Sequence, residues 1–242
     1  SFSFPYTTSG FIDHLNKVSL KPAAAHQERI LTVTNDHEYA VLGGVNRASI
    51  GRYLAILSSA ISAGLVFLVL QADSFAKSMG LNVNLPPTVI SLVGAGTVYA
   101  ALFWILKNHA WKWRPFAALL KVPNLAGTWD CKGESLDRDG KVVYQWTAEV
   151  TIVQCWDKLR VRLKTSQSGS SSMAAALTHD SVDGWMLLYQ YRNDPKIGQP
   201  ELNSHVGTSS VTFASDLKSA TAEYFNGVGR ATFGKMSWTR RQ

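Results

Sequence analysis

Two cysteines in 242 residues, Cys131 and Cys155, are too few for a disulfide framework or a thiolate metal cluster. In a cytoplasmic domain both are expected as reduced, buried thiols. The six histidines are scattered, and the chain has no His-Glu-x-x-His run, no Cys-x-x-Cys and no Gly-x-Ser-x-Gly elbow. Gly229 to Lys235 has the glycine spacing of a phosphate loop, but Met236 stands where a Ser or Thr is needed. A strand follows it, with no helix N-terminus to receive a phosphate, so that motif is set aside. Without a nucleophile or a metal cluster, an enzyme is not expected. An anchored enzyme using Tyr and His as acid and base is the weakest reading.

The most informative absence is charge. Tyr53–Ala72 and Pro87–Leu106 contain no Asp, Glu, Lys or Arg, and each has the roughly 20-residue length a helix needs to cross a bilayer core. Their polar residues, such as Ser58, Ser59, Ser62, Ser91 and Thr97, can bond back onto the helix. No ionisable residue sits at mid-depth, which disfavours a proton relay or an ion-coupled transporter. Cations flank the pair: Arg47 and Arg52 before it, Lys107, His109, Lys112 and Arg114 after it. The link carries only Asp73 and Lys77. The positive-inside rule then puts both termini in the cytoplasm and residues 73–86 on the far side. Tyr99, Trp104, Trp111 and Trp113 are expected to form an aromatic belt. Small residues recur at helical spacing as Ser58/Ser62, Ala60/Gly64 and Gly96/Ala100. They suit either the packing of one hairpin or the assembly of several subunits.

The chain divides into an N-terminal arm (1–50), a two-helix membrane hairpin (51–112) and a C-terminal domain (120–242). The last carries 15 basic and 12 acidic residues, too even a balance for long nucleic acid. After Pro115 the texture becomes period-two alternation broken by turn signals about every 8–12 residues, which reads as all-β. Eight strands are predicted, over Leu125–Glu134, Lys141–Gln154, Lys158–Thr165, Ser170–His179, Gly184–Arg192, Ser204–Phe213, Ala220–Asn226 and Arg230–Arg240. Eight short antiparallel strands with tight turns fit a small, closed, lipocalin-like β-barrel. Alternation turns Tyr144, Trp146, Ala148, Val150 and Ile152 to one side, and leaves Arg160, Arg162 and Lys164 as a basic outer stripe. Trp185, Leu187, Tyr189 and Tyr191 share a face, as do His205, Gly207, Ser209, Val211 and Phe213. Such polar-tipped rings suit a small amphipathic ligand, or they simply fill the interior. His205 is the one histidine placed as a site candidate.

Pro123-Asn124-Leu125-Ala126-Gly127-Thr128-Trp129 follows directly on the hairpin. Near the end come His205-Val206-Gly207, Glu223-Tyr224-Phe225-Asn226-Gly227, Gly229-Arg230-Ala231-Thr232-Phe233-Gly234 and Ser237-Trp238-Thr239-Arg240. In this order, residues 50–242 resemble the SMODS-associating, two-transmembrane, β-strand-rich effectors of CBASS antiphage defence. Gly-x-Trp alone also occurs in the first strand of lipocalins, so the resemblance rests on architecture and motif order together. It implies a receptor for a cyclic dinucleotide that a CD-NTase makes on phage infection. Binding would drive oligomerisation, and the two spans would disrupt the bacterial inner membrane and kill the cell.

A cyclic dinucleotide offers two flat bases and two phosphates, so its pocket wants aromatic faces, a cation and hydroxyl or amide donors. Tyr189, Tyr191, His205, Tyr224, Asn226, Arg230 and Thr232 supply those types near strand ends. Arg230 is assigned to a phosphate and the tyrosines to base stacking. Structural alternatives stay open: Arg230 closing the last hairpin, and Arg240 packing on Trp129 as a cation–π pair. No cofactor or metal is expected. Ala60, Gly64, Gly96 and Ala100 are the packing positions of the spans. The runner-up is a membrane-tethered lipocalin-like barrel that binds or carries an apolar ligand.

Overall fold

In a computed structural model, described over residues 36–81, 86, 88, 94–198, 203–227 and 230–241, the described chain begins with a strand. Residues 1–50 are expected as an arm, yet His37–Leu42 forms β1 and is part of the sheet. The helical and extended signals before residue 35 and the ring-bearing start at Phe2, Phe4 and Tyr6 lie outside the described residues.

Asn46 caps the next helix, its side chain accepting from the Ala48 amide at 2.8 Å. That helix, α1 (Arg47–Ser78), has 32 residues, or about 48 Å. It is the one helix among the described residues that is long and apolar enough to cross a bilayer. Its serines bond back as expected, Ser58 and Ser59 both donating to the Ala55 carbonyl at 2.9 Å. A shorter helix, α2 (Ala95–Asn108), packs along it; most of the earlier half of the expected second span lies outside the described residues. A 3-10 turn, Ala110–Lys112, and the short α3 (Arg114–Leu120) lead into the sheet.

Eight further strands follow: β2 (Gly127–Leu136), β3 (Val142–Gln154), β4 (Lys158–Lys164), β5 (Ser168–Asp180), β6 (Gly184–Pro195), β7 (His205–Phe213), β8 (Ser219–Asn226) and β9 (Phe233–Arg240). Each lies on a segment that alternation marks out. Their antiparallel pairings run β4–β3–β2–β9–β8–β7–β6–β5, and β5 returns to β4. The return is brief, pairing only Arg162–Lys164 with Gly169–Ser171. Beyond it the two strands part and β1 fills the gap, antiparallel to β4 at His37 and Glu38 and parallel to β5 from Tyr39 to Leu42. Ser172 sits where they part: its hydroxyl accepts from the Val161 amide at 2.9 Å and lies 2.6 Å from His37 Nε2. A backbone donor that the split would orphan is thereby satisfied.

The interior is filled at one end by Trp129, Phe213 and Trp238, with ring centroids 5.5–6.4 Å apart. Arg240 lies 5.3 Å over the Trp129 ring and donates to the Ala126 carbonyl, so the cation–π pair forms. Packed rings plug the interior at this end. Cys131 lies in the same interior, and burial pushes its thiol up to about 12. Cys155 is half-buried, its thiol also raised, chiefly by burial. At pH 8 the folded chain is expected to take one equivalent of maleimide, slowly, at Cys155, and a second only on unfolding. Mass spectrometry reads this directly, and two fast equivalents would mean an interior open to solvent.

Two expectations are corrected. Trp111 is no part of an aromatic belt: the 3-10 turn carries its ring into the core, where it is fully buried. Arg160 is buried as well, so the basic outer stripe is broken and only Arg162 and Lys164 remain exposed.

The helices meet the sheet at the β3–β4 turn. Trp156 is buried there; its carbonyl accepts from Arg47 at 3.3 Å, and its amide donates to the Lys107 carbonyl at 3.2 Å. The Arg47 guanidinium lies 4.6 Å over the Tyr39 ring and 5.8 Å from that of Trp156. Lys107 donates to Asp157 at 3.0 Å. Burial opposes the Asp157 charge, but Lys107 and the Cys155 thiol outweigh it and hold the carboxyl below its ordinary range. One turn thus holds the start of α1 and the end of α2 together.

Candidate functional site

The far end of the sheet is built from the β2–β3, β4–β5, β6–β7 and β8–β9 connections. It holds a cavity of about 510 Å³, within the size range of small-molecule sites. Alternation brings side chains from all eight strands β2–β9 to it, because odd and even positions point to opposite faces. Tyr189, Tyr191, His205, Tyr224, Asn226, Arg230 and Thr232 all line it.

Four of these residues are tied into two short chains. The Tyr191 hydroxyl donates to Asn226 Oδ1 at 2.9 Å, and Asn226 Nδ2 donates to Thr232 Oγ1 at 2.7 Å. The Asn226 amide donates to the Thr232 carbonyl at 2.7 Å, which fixes the β8–β9 loop against the same asparagine. The Tyr224 and Ser135 hydroxyls are 2.8 Å apart. His205 is buried, and its Nδ1 donates to the Asn203 carbonyl at 3.0 Å; in the neutral ring this leaves Nε2 an acceptor. Burial raises the Tyr189 and Tyr191 phenols well above their ordinary range, and for Tyr191 the nearby Arg230 only partly offsets this. Both are neutral donors at physiological pH. Arg230 is exposed on the loop, a charged group at the entrance rather than in the depths.

Two glycines let rings lie against the wall. A Cβ on Gly207 would stand 2.5 Å from the Tyr191 ring and 2.8 Å from Asn226 Oδ1. One on Gly133 would stand 2.2 Å from the Trp146 indole. Trp146 in turn meets Tyr224 edge-on, with centroids 5.8 Å apart. Trp146 is on the inward face expected for its strand, but sequence does not mark it as a site residue. The signal available was its position across the ladder from Gly133. Thr165, Ser168, Ser170 and Asn193 also line the cavity. Thr165, Ser168 and Ser170 sit at the β4–β5 turn and its short pairing, and Asn193 lies across the ladder from Ser170 and His205; alternation alone does not show that these segments meet. Among the described residues, no three His, Cys, Asp or Glu side chains gather as a metal site.

On the helices, the packing positions separate. Ser58 and Ser62 are buried, whereas Ala60, Gly64, Gly96 and Ala100 are all exposed. The serines are the buried positions of α1, and those four small residues face outward.

Comparison with known proteins gives two adjacent family matches. Residues 48–112 match a family described as the Cap15 TM helices, and residues 120–240 match the Cap15 cyclic dinucleotide receptor domain. The chain is 44% identical over 204 residues to CD-NTase-associated protein 15 of Yersinia aleksiciae, covering 84% of this chain and 97% of that protein.

Proposed function

The chain belongs to the Cap15 family of CBASS effectors, which join transmembrane helices to a cyclic dinucleotide receptor domain, and from that premise we propose that the cavity at the open end is the messenger site. The observation that carries this reading is convergence: seven residues from four parts of the sequence line one space of about 510 Å³. Tyr189, Tyr191 and Tyr224 offer faces for the bases. Asn226, Thr232 and His205 offer hydrogen-bonding groups to base edges and ribose, and Arg230 meets a phosphate. The interior is an eight-stranded barrel with β1 laid into its seam. Hydroxyls, amides and a cation among the rings fit a nucleotide better than an apolar cargo.

The membrane unit has two spans, both termini are cytoplasmic, and the site is the bacterial inner membrane. The outward Ala60/Gly64 and Gly96/Ala100 faces support assembly of subunits through the helices, since close backbone approach is what small residues allow in lipid. Ligand would shift the population from dispersed to assembled subunits by its differential affinity for the two, and assembly would breach the bilayer. The role is that of a receptor, not an enzyme.

The test uses the full chain in nanodiscs, titrated by calorimetry against a panel of cyclic di- and trinucleotides. One member is expected to bind at micromolar affinity or better, and Arg230→Ala to weaken it by about 10–100-fold, the worth of a charge-assisted phosphate contact. Unchanged affinity in a folded Arg230→Ala chain would remove Arg230 from the site. Failure of the whole panel would overturn the receptor assignment of the cavity.

A further inference from the structure

α3 turns two faces to different surroundings. Leu120 is buried in the core, with Val122 and Leu125 just beyond. On the other side Trp113, Phe116 and Leu119 are 57%, 38% and 63% exposed. Trp113 and Phe116 already meet edge-on, with centroids 6.2 Å apart, so this is an ordered apolar surface rather than a scatter of single residues.

What covers it follows from what precedes it. α3 is separated from α2 by one 3-10 turn, and the transmembrane match ends at residue 112. The surface therefore begins where the bilayer ends. His109, Lys112 and Lys121 are exposed around it, and Trp104, still on α2, is exposed with its ring 5.2 Å from that of His109. Rings with a polar tip and cations beside an apolar strip are the composition of a membrane interface helix. At the same end of the sheet the β5–β6 turn carries Asp180 and Asp183, and the β7–β8 turn carries Asp216 beside Lys218, so the clustered rings and cations belong to α3 and the helix ends.

We propose that α3 lies in the headgroup layer of an anionic membrane, with Trp113, Phe116 and Leu119 inserted, as a third contact beside the helical hairpin. Its effect is orientation. A receptor held by helices alone could tilt about the β3–β4 turn. One seated on α3 presents its closed end to the lipid and its cavity to the cytoplasm. The inference rests on the membrane reading given above, and the experiment separates the two.

An environment-sensitive fluorophore is attached through Leu119→Cys in a Cys155→Ser full chain; the remaining Cys131 is buried and its thiol weakly acidic. The protein is reconstituted in vesicles of phosphatidylethanolamine and phosphatidylglycerol containing lipids with a quencher near the headgroup or near the chain end. Matched probes are placed at Leu68, exposed on α1, and at Ser166, exposed at the open end. At Leu119 the headgroup-level quencher should exceed the deep one by about twofold or more, as insertion to the acyl boundary requires. The order should reverse at Leu68, and Ser166 should be unquenched. Quenching at Leu68 with none at Leu119 overturns the α3 contact and leaves the span intact. No quenching at either overturns both. Uncharged phosphatidylcholine vesicles should lower the Leu119 signal, and an unchanged signal would remove the anionic part.

Discussion

Gly207→Ala is expected to weaken cyclic dinucleotide binding by about 10–100-fold while leaving a folded chain. The added methyl would meet the Tyr191 ring at 2.5 Å and Asn226 Oδ1 at 2.8 Å, distances at which something must move. Tyr191 is buried beside Tyr189, with centroids 5.8 Å apart, so its phenol can yield only toward the cavity. That movement breaks its hydrogen bond to Asn226 and removes the anchor through which Asn226 holds Thr232. Two net hydrogen bonds are worth about 1–3 kcal/mol, a factor of roughly ten to a hundred in affinity. Overpacking adds a stability cost of about 1–3 kcal/mol, which thermal unfolding will show separately. Gly133→Ala presses the opposite wall, against Trp146, and should have a similar effect. Wild-type affinity in both variants would mean that these walls do not shape the ligand site.

The two halves of that argument were unequally visible in sequence. Alternation marks out the strands, so it also puts Tyr189 and Tyr191 on one face and His205 on an inward one, while Tyr224 is placed only near a strand end. The sequence reading puts them near strand ends; the structure shows that these ends meet. Position along a strand is local information, and it was legible. What depends on pairing between distant segments was not. β1 is a six-residue run in a stretch without a strong period, and its place is set by the gap between β4 and β5. Nothing in His37–Leu42 announces that gap. Trp111 failed for the same reason: a charged flank and neighbouring tryptophans read as a membrane belt, but a single 3-10 turn decides which way the ring points. Ala60/Gly64 and Ser58/Ser62 are equivalent by spacing, and only the seam of the folded hairpin separates them. The resemblance named the family correctly because motif order survives where individual positions are ambiguous.

Trp156→Ala should separate sensing from its consequence. The cavity lies at one end of β3 and Trp156 just beyond the other, about 33 Å along the strand from Trp146 at roughly 3.3 Å per residue. Affinity for the messenger should therefore stay within about twofold, since no shared contact couples the two ends directly. The junction has no such insulation. The indole is buried beneath the Arg47 guanidinium, which also covers Tyr39 of β1, so one cation joins the seam strand, the turn and the start of α1. Removing a buried Trp costs about 3–5 kcal/mol when the site cannot collapse. Here the loss falls on the joint between the helices and the sheet. The bonds from the Arg47 guanidinium to the Trp156 carbonyl and from the Trp156 amide to the Lys107 carbonyl remain chemically possible, but the group that sets their geometry is gone. Ligand-triggered dye release from vesicles carrying the full chain is expected to fall more than about tenfold, the factor that corresponds to 1.4 kcal/mol. Trp156→Phe, which keeps a ring under Arg47, should recover most of it and guards against simple misfolding. Undiminished release from a bound Trp156→Ala chain would mean that the receptor acts on the membrane by another route than this joint, where Trp156 and its neighbour Asp157 bond Arg47 and Lys107.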